Sequence, residues 1–245
     1  MLISVVNRSR TLSDAELRRA VRAVNLQFAE DFEPYWQFGA RLWLEGTDEP
    51  PSAPLQRLPG RCRDGVIYID DKPTVAGAEG FHDRRRDDVP FGHVFLDVCR
   101  SVGDDWTVAL SHEAIELTGD PMNNLLVQGP HPEDGRHLVF HMFELCDAVQ
   151  CETYERGGVL VSNFVLPGYF TRGDERGARN DYLGRATRRD ELPSFGIAPG
   201  GYICFYDGRC GGDKWHPFAP SDDLIARKRL DLKSAAGGRV GRRTR

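Results

Sequence analysis

Residues 106–121 read WTVALSHEAIELTGDP, and the fold turns on how this stretch is read. Asp104 or Asp105 can cap a helix here, Gly119 suits the left-handed residue just past its end, and Pro121 stops it. From Trp106 to Thr118 nearly every residue is apolar or small, and the ionisable groups are His112, Glu113 and Glu116. A surface helix carries a continuous polar face. Three ionisable groups on an apolar rod instead imply buried charge, which is costly unless paired or bound to a cation.

The spacing says which groups would bind one. His112 and Glu116 are four residues apart, so they lie one turn above each other and can share an ion. Glu113, about 100° round the axis, can reach a water on that ion without being a ligand. In the HExxH helix of zinc peptidases two histidines bind metal and the glutamate is the general base. Here Glu116 stands in place of the second histidine.

Outward from this helix, LISVVN (2–7) is rich in β-branched residues and predicts a strand. TLSDAELRRAVRAVNLQF (11–28) pairs Ser13 with Glu16 as a capping box, and Leu17, Val21, Val24 and Phe28 recur at helical spacing. Further strands are expected at YWQFGARLWLEG (35–46), GVIYIDD (65–71) and GHVFLDVC (92–99), with a Pro-rich loop at 47–61. Beyond the helix, residues 128–136 read as a Gly/Pro-rich loop. HLVFHMFELCDAVQ (137–150) and GVLVSNFVLPGYF (158–170) read as extended, with a turn at CETYERGG (151–158). The rest is loop-rich, with one late strand in GYICFYD (201–207). The expected class is α+β: a mixed sheet packed on an N-terminal helix and the HExxE helix, within one domain spanning 1–225.

This order of strand, helix, strands and HExx-bearing helix resembles the zincin metallopeptidase superfamily. More closely, DFEPYW (31–36), FHD and PFGHVF (81–95), SHEAIELTGDP (111–121), ELCDAVQCETYE (144–155) and VSNFVLPGYF (161–170) resemble a family of bacterial and phage proteins with no established substrate. The resemblance covers most of residues 2–207 and implies a zincin-like fold with a metal site, without supplying a reaction. The metzincin pattern HExxHxxGxxH is matched at Gly119 but puts Met122 at its third ligand, and so fails.

In gluzincin-like enzymes the third ligand is an acid some tens of residues downstream, which directs attention to FELCDAVQCE. Glu144 and Asp147 lie three apart in an apolar run, on one face if helical and on opposite faces if extended. Asp147 is preferred, with Glu144 either supporting the ligands or taking its place. Asp120 comes next, although it is better placed to hold the turn at Pro121, and Cys146 ranks below either acid. One histidine and two carboxylates make a hard, anionic donor set suited to Zn²⁺, or to Mn²⁺ or Fe²⁺. His82 could polarise a substrate carbonyl with Asp83 fixing its tautomer, but a loop histidine inside HDRRRDD is the preferred reading. Tyr169 could donate to an oxyanion or simply pack.

Bulk properties set the bounds. A chain of 245 residues, 40% hydrophobic, has material for a sizeable core. Its net charge of −5 disfavours nucleic acid as the main partner. The last nineteen residues, from Arg227, hold eight Lys/Arg and one acid, and 226–245 is expected to be a disordered basic tail capable at most of weak contacts with nucleic acid. Six cysteines scattered without a CxxC pair read as thiols of a cytoplasmic protein, and a Cys204–Cys210 zinc site lacks supporting ligands. Neither a secretory leader nor a membrane span is expected. The glycines of APGGYICFYDGRCGG (198–212) lack the order of a nucleotide-binding loop. The sequence therefore points to a metallohydrolase acting on a peptide or protein, with Glu113 activating water. The alternative is a zincin-derived binding or structural protein whose metal is structural or absent.

Overall fold

The computed structural model describes residues 1–45, 63–74, 78–172, 179–184, 191–209, 215–220 and 222–223. The expected loop at 47–61 lies outside these, as do Cys210 and the tail at 226–245. The chain is α+β, and its main sheet is mixed.

Strand β1 (Leu2–Asn7) leads into α1 (Asp14–Leu26). The capping box is formed: the Glu16 backbone N–H donates to Ser13 Oγ at 3.3 Å, and the Ser13 N–H donates to Glu16 Oε2 at 3.0 Å. Leu17, Val21, Val24 and Phe28 are all buried, as the helical spacing requires. The helix does not stop before Pro34. It widens into a π-helical turn, Gln27–Phe32, and continues as α2 (Glu33–Trp36), where Pro34 sits in the first turn. Gln37 then adopts φ 61°, so the expected strand at 35–46 shrinks to β2 (Arg41–Leu44).

Next come β3 (Gly65–Asp70), β4 (Gly80–Arg84) and β5 (Pro90–Phe95). The sheet order is β2-β1-β3-β5-β4; β4 alone runs antiparallel, and it forms one edge. The strand expected at 92–99 ends at Phe95. Leu96–Val102 is instead a short helix, α3, with Leu96 and Cys99 buried three apart. An apolar run of this length fits either period.

Helix α4 (Trp106–Gly119) is the HExxE helix, capped by Asp105, whose carboxylate accepts the Thr107 N–H at 2.9 Å. Gly119 is its last residue and not a left-handed one; a Cβ there would meet Leu145 Cδ1 at 2.5 Å, so the glycine serves close packing. Asp120 holds the following turn, accepting the N–H groups of Asn124 and Leu125 at 3.0 and 2.9 Å.

Beyond α4 the chain is more regular than its sequence suggests. Strands β6 (Leu126–Pro130), β7 (Leu138–Met142), β10 (Ile203–Tyr206) and β11 (Trp215–Phe218) form an antiparallel sheet in the order β11-β10-β7-β6. The expected turn at 151–158 contains β8 (Thr153–Arg156), paired with β9 (Val159–Ser162) across Gly157 and Gly158, both at positive φ. The β8–β9 hairpin packs on α4: Thr107 Oγ1 donates to Leu160 O at 2.7 Å, and the Ser162 N–H donates to Ser111 Oγ at 2.7 Å. With the main sheet on its other side, α4 is buried along nearly its whole length. This explains a helix without a polar face.

The π-helical turn anchors the same hairpin. Asp31, buried, accepts hydrogen bonds from Tyr154 Oη (2.9 Å), Tyr182 Oη (2.7 Å) and Arg156 Nη2 (2.5 Å). Removing the carboxylate leaves three donors without it. Asp31→Ala is therefore expected to cost about 3 kcal/mol in urea unfolding. A loss below about 1 kcal/mol would show that solvent takes over these bonds.

Candidate metal centre

Three segments meet here, α4, β4 and the stretch that follows β7, and each brings a ligand-type side chain. Helical spacing puts His112 and Glu116 on one face, with His112 Nε2 3.3 Å from Glu116 Oε2. The 3₁₀ turn Asp147–Val149 brings Asp147 Oδ1 to 3.2 Å from the same His112 Nε2. Glu116 Oε1 is fixed from behind by the Cys146 backbone N–H at 3.3 Å. Bonds of 2.0–2.1 Å from a tetrahedral ion place its ligand atoms about 3.3–3.4 Å apart. His112 thus already stands at that spacing from both Glu116 and Asp147, and all three are buried with ligand atoms within 4.8 Å of one another.

Strand β4 adds a second histidine. Residues alternate between the two faces of a strand, so Phe81 stacks on His93 and packs beside Phe95 on one face while Gly80 and His82 meet α4 on the other. His82 Nδ1 lies 3.5 Å from both Glu113 Oε2 and Glu116 Oε2, and the residue has no solvent exposure. The loop reading of His82 is therefore corrected: pairing with β5 turns HDR into an edge strand and points the imidazole inward. Gly80 was not singled out in the sequence, yet it makes room for Glu113. A Cβ at Gly80 would sit 2.8 Å from Glu113 Cγ and Oε1 and from His93 O.

Glu144 is also buried and joins His82 and Glu116 in a second set whose ligand atoms lie within 4.8 Å of one another. Helix-or-strand reasoning let one face hold Glu144 and Asp147 together only in a helix. The stretch between β7 and the 3₁₀ turn is neither, and Glu144 from this stretch joins the cluster together with Asp147 from the first residue of the turn. Tyr169 is buried, donates its hydroxyl to Gly196 O at 2.9 Å, and borders Glu144 and Asp147 from the side of the second sheet. Asp120 is engaged at the end of α4, as described. Cys146 is buried, and burial followed by the charges of Glu116 and Asp147 pushes its thiol well above the ordinary range. It contributes its backbone N–H to the site.

Electrostatically the cluster is acidic. Burial alone would depress the His112 imidazole, but the Glu116 charge and the hydrogen bonds with Asp147 and Glu116 overcome it and hold the group up at about 10. Without a metal, a proton on His112 offsets part of the buried negative charge. A cation would do so more completely, and the donor set of imidazole and carboxylate fits Zn²⁺, Mn²⁺ or Fe²⁺.

The cluster opens to a cavity of about 390 Å³, between the start of β4, the loop before α4 and the β8–β9 hairpin. His112 and Glu113 form its floor; Glu79, Asp104 and Asp105 stand among its walls. Scans of protein-family models, of curated proteins and of solved structures return no match to this chain. None of the described helices is long and apolar enough to cross a membrane.

Proposed function

We propose that the chain is a zincin-type metallohydrolase that cleaves peptide bonds. The observation that carries this reading is the His112–Glu116–Asp147 set at ligand spacing beneath a cavity, with Glu113 on the cavity floor beside it. A divalent cation on those three groups would polarise a carbonyl oxygen and make a nearby water more acidic. Glu113, which lines the cavity, would take the proton of that water and return it to the leaving amine. The edge strand supports an extended substrate: β4 has a neighbour on one side in its sheet, and Glu79 and Gly80 at its start line the cavity, where a peptide can add as a further strand. Glu79, Asp104 and Asp105 favour peptides that bring a basic side chain or an amino terminus.

Elemental mass spectrometry of the purified protein beside His112→Ala and Glu116→Ala tests the site. Metal in wild type that is lost in both variants supports it, and cleavage of a peptide library then tests the reaction. A chain that takes up no Zn²⁺, Mn²⁺ or Fe²⁺ removes this reading.

Gly80→Ala separates positioning from binding. Its Cβ would press on Glu113 and on the His93 backbone oxygen, and its three closest neighbours include no atom of His112, Glu116 or Asp147. Turnover is expected to fall on the order of 10²-fold, because displacements near 1 Å cost that much, with metal content unchanged. Unaltered turnover would show that the position of Glu113 does not matter.

A further inference from the structure

Glu116 stands between two imidazoles. Its Oε2 lies 3.3 Å from His112 Nε2 and 3.5 Å from His82 Nδ1. The buried donors form two sets that share this residue: His112, Glu116 and Asp147 in one, His82, Glu116 and Glu144 in the other. Beside the second set, Glu113 has a side chain 6% exposed, and its Oε2, 3.5 Å from His82 Nδ1, accepts no hydrogen bond. We propose that the centre holds two divalent cations bridged by the Glu116 carboxylate, the second bound by His82 and Glu144. The proposal rests on the metal-site reading above and extends it.

Two physical arguments support a pair over a single ion. The first is reach. The distances of 3.2 and 3.3 Å in the first set already match one coordination shell, about 3.3–3.4 Å. The Nδ1 of His82 and the Glu144 carboxylate belong to a separate set that shares only Glu116 with the first. Paired catalytic ions lie about 3.5–4 Å apart, a span that one bridging carboxylate covers.

The second argument is charge. Glu113, Glu116, Glu144 and Asp147 are all buried and, ionised, carry four negative charges. Imidazoles that bind metal are neutral. One divalent ion then leaves two charges uncompensated on buried side chains, whereas two ions balance the four. Uncompensated buried charge costs several kcal/mol per ion as an order of magnitude. Two ions would together hold the attacking water and the carbonyl oxygen of the scissile peptide.

A third set, His131, His137 and Asp207, lies apart from this cluster, where the β6–β7 hairpin meets the end of β10. There Arg209 already holds the Asp207 carboxylate, at 3.2 and 3.1 Å. It serves as the competing location in the test.

The test is a titration of chelator-stripped full-length protein with Mn²⁺. Bound metal is counted by equilibrium dialysis with elemental mass spectrometry, and low-temperature electron paramagnetic resonance reads the coupling between ions. Wild type is expected to bind two Mn²⁺ per chain with an exchange-coupled spectrum. His82→Ala and the nearly isosteric Glu144→Gln should each bind one, with the six-line signal of an isolated ion. The coupling is read on wild type, so the test stands even if a variant fails to fold. One uncoupled ion per chain, lost in His112→Ala, would overturn the pair and leave the single-ion site standing. No bound metal would overturn both. Two ions retained in His82→Ala and Glu144→Gln would place the second elsewhere, with His131, His137 and Asp207 first to be replaced, and would also overturn the bridge.

Discussion

Glu113→Gln is expected to lower peptide hydrolysis by about 10²–10⁴-fold, the range that a positioned general base contributes, while metal content and melting temperature stay at wild-type values. The amide has the size and shape of the carboxylate, so the fit against Gly80 survives; what it loses is the ability to take a proton. Glu113 lines the cavity floor, whereas Glu116 and Asp147 share His112 Nε2 as a neighbour within about a hydrogen-bond length. This division predicts separate consequences for the two glutamates of HEAIE. Steady-state kinetics on the best library peptide, alongside elemental analysis of the same samples, checks it. Metal lost together with turnover would make Glu113 a ligand. Turnover retained would take it out of the chemistry.

The helix at 106–119 was legible because its sequence breaks a rule. A rod with no polar face and three ionisable groups has to be buried, and the structure encloses it between the main sheet and the β8–β9 hairpin. The Ser13 box and the Leu17, Val21, Val24, Phe28 stripe were legible for a related reason: each is a local pattern that tertiary packing reinforces. His82 was not legible. Its neighbours Asp83, Arg84, Arg85 and Arg86 read as a solvated loop, and its inward direction depends on pairing with Gly92 in β5, which no local pattern records. The outer strand of a sheet can carry such charge, since one of its edges faces solvent.

Other differences share a cause. In FLDVC the apolar spacing suits a strand up to Phe95 and a helix from Leu96, and the chain switches between them. CETYERGG reads as a turn throughout, whereas only Gly157 and Gly158 turn the chain and Thr153–Arg156 is the strand leading into them. Glu144 and Asp147 were legible as buried acids but not as partners, because their segment follows neither the period of 2 nor that of 3.6. The centre is thus assembled from one regular element read well, one edge strand read as loop, and one irregular segment whose acids gave it away by chemistry alone.

Metal removal is expected to have the largest effect on stability, and the effect should grow with pH. A ligand present at about 1,000 times its Kd stabilises the native state by about 4.1 kcal/mol. In a chain of this size each kcal/mol moves Tm by about 2–4 °C, so saturating Zn²⁺ or Mn²⁺ should raise Tm by about 8–16 °C. Glu116→Ala should abolish the shift. The pH dependence follows from His112. In the metal-free chain its folded value, about 10, lies above the ordinary 6.5 of an exposed imidazole, the opposing charges of Glu116 and its neighbours outweighing burial. Its proton therefore contributes stability that is fully present below about pH 6.5 and is lost as pH rises through about 10. The metal-loaded chain needs the neutral imidazole, so rising pH favours loading while it weakens the empty fold. The Tm curves with and without metal should consequently separate between pH 6.5 and 10, read by differential scanning calorimetry. Parallel curves over that window would mean that the proton on His112 and the metal do not compete for one site, and His112 would then lose its place as a ligand.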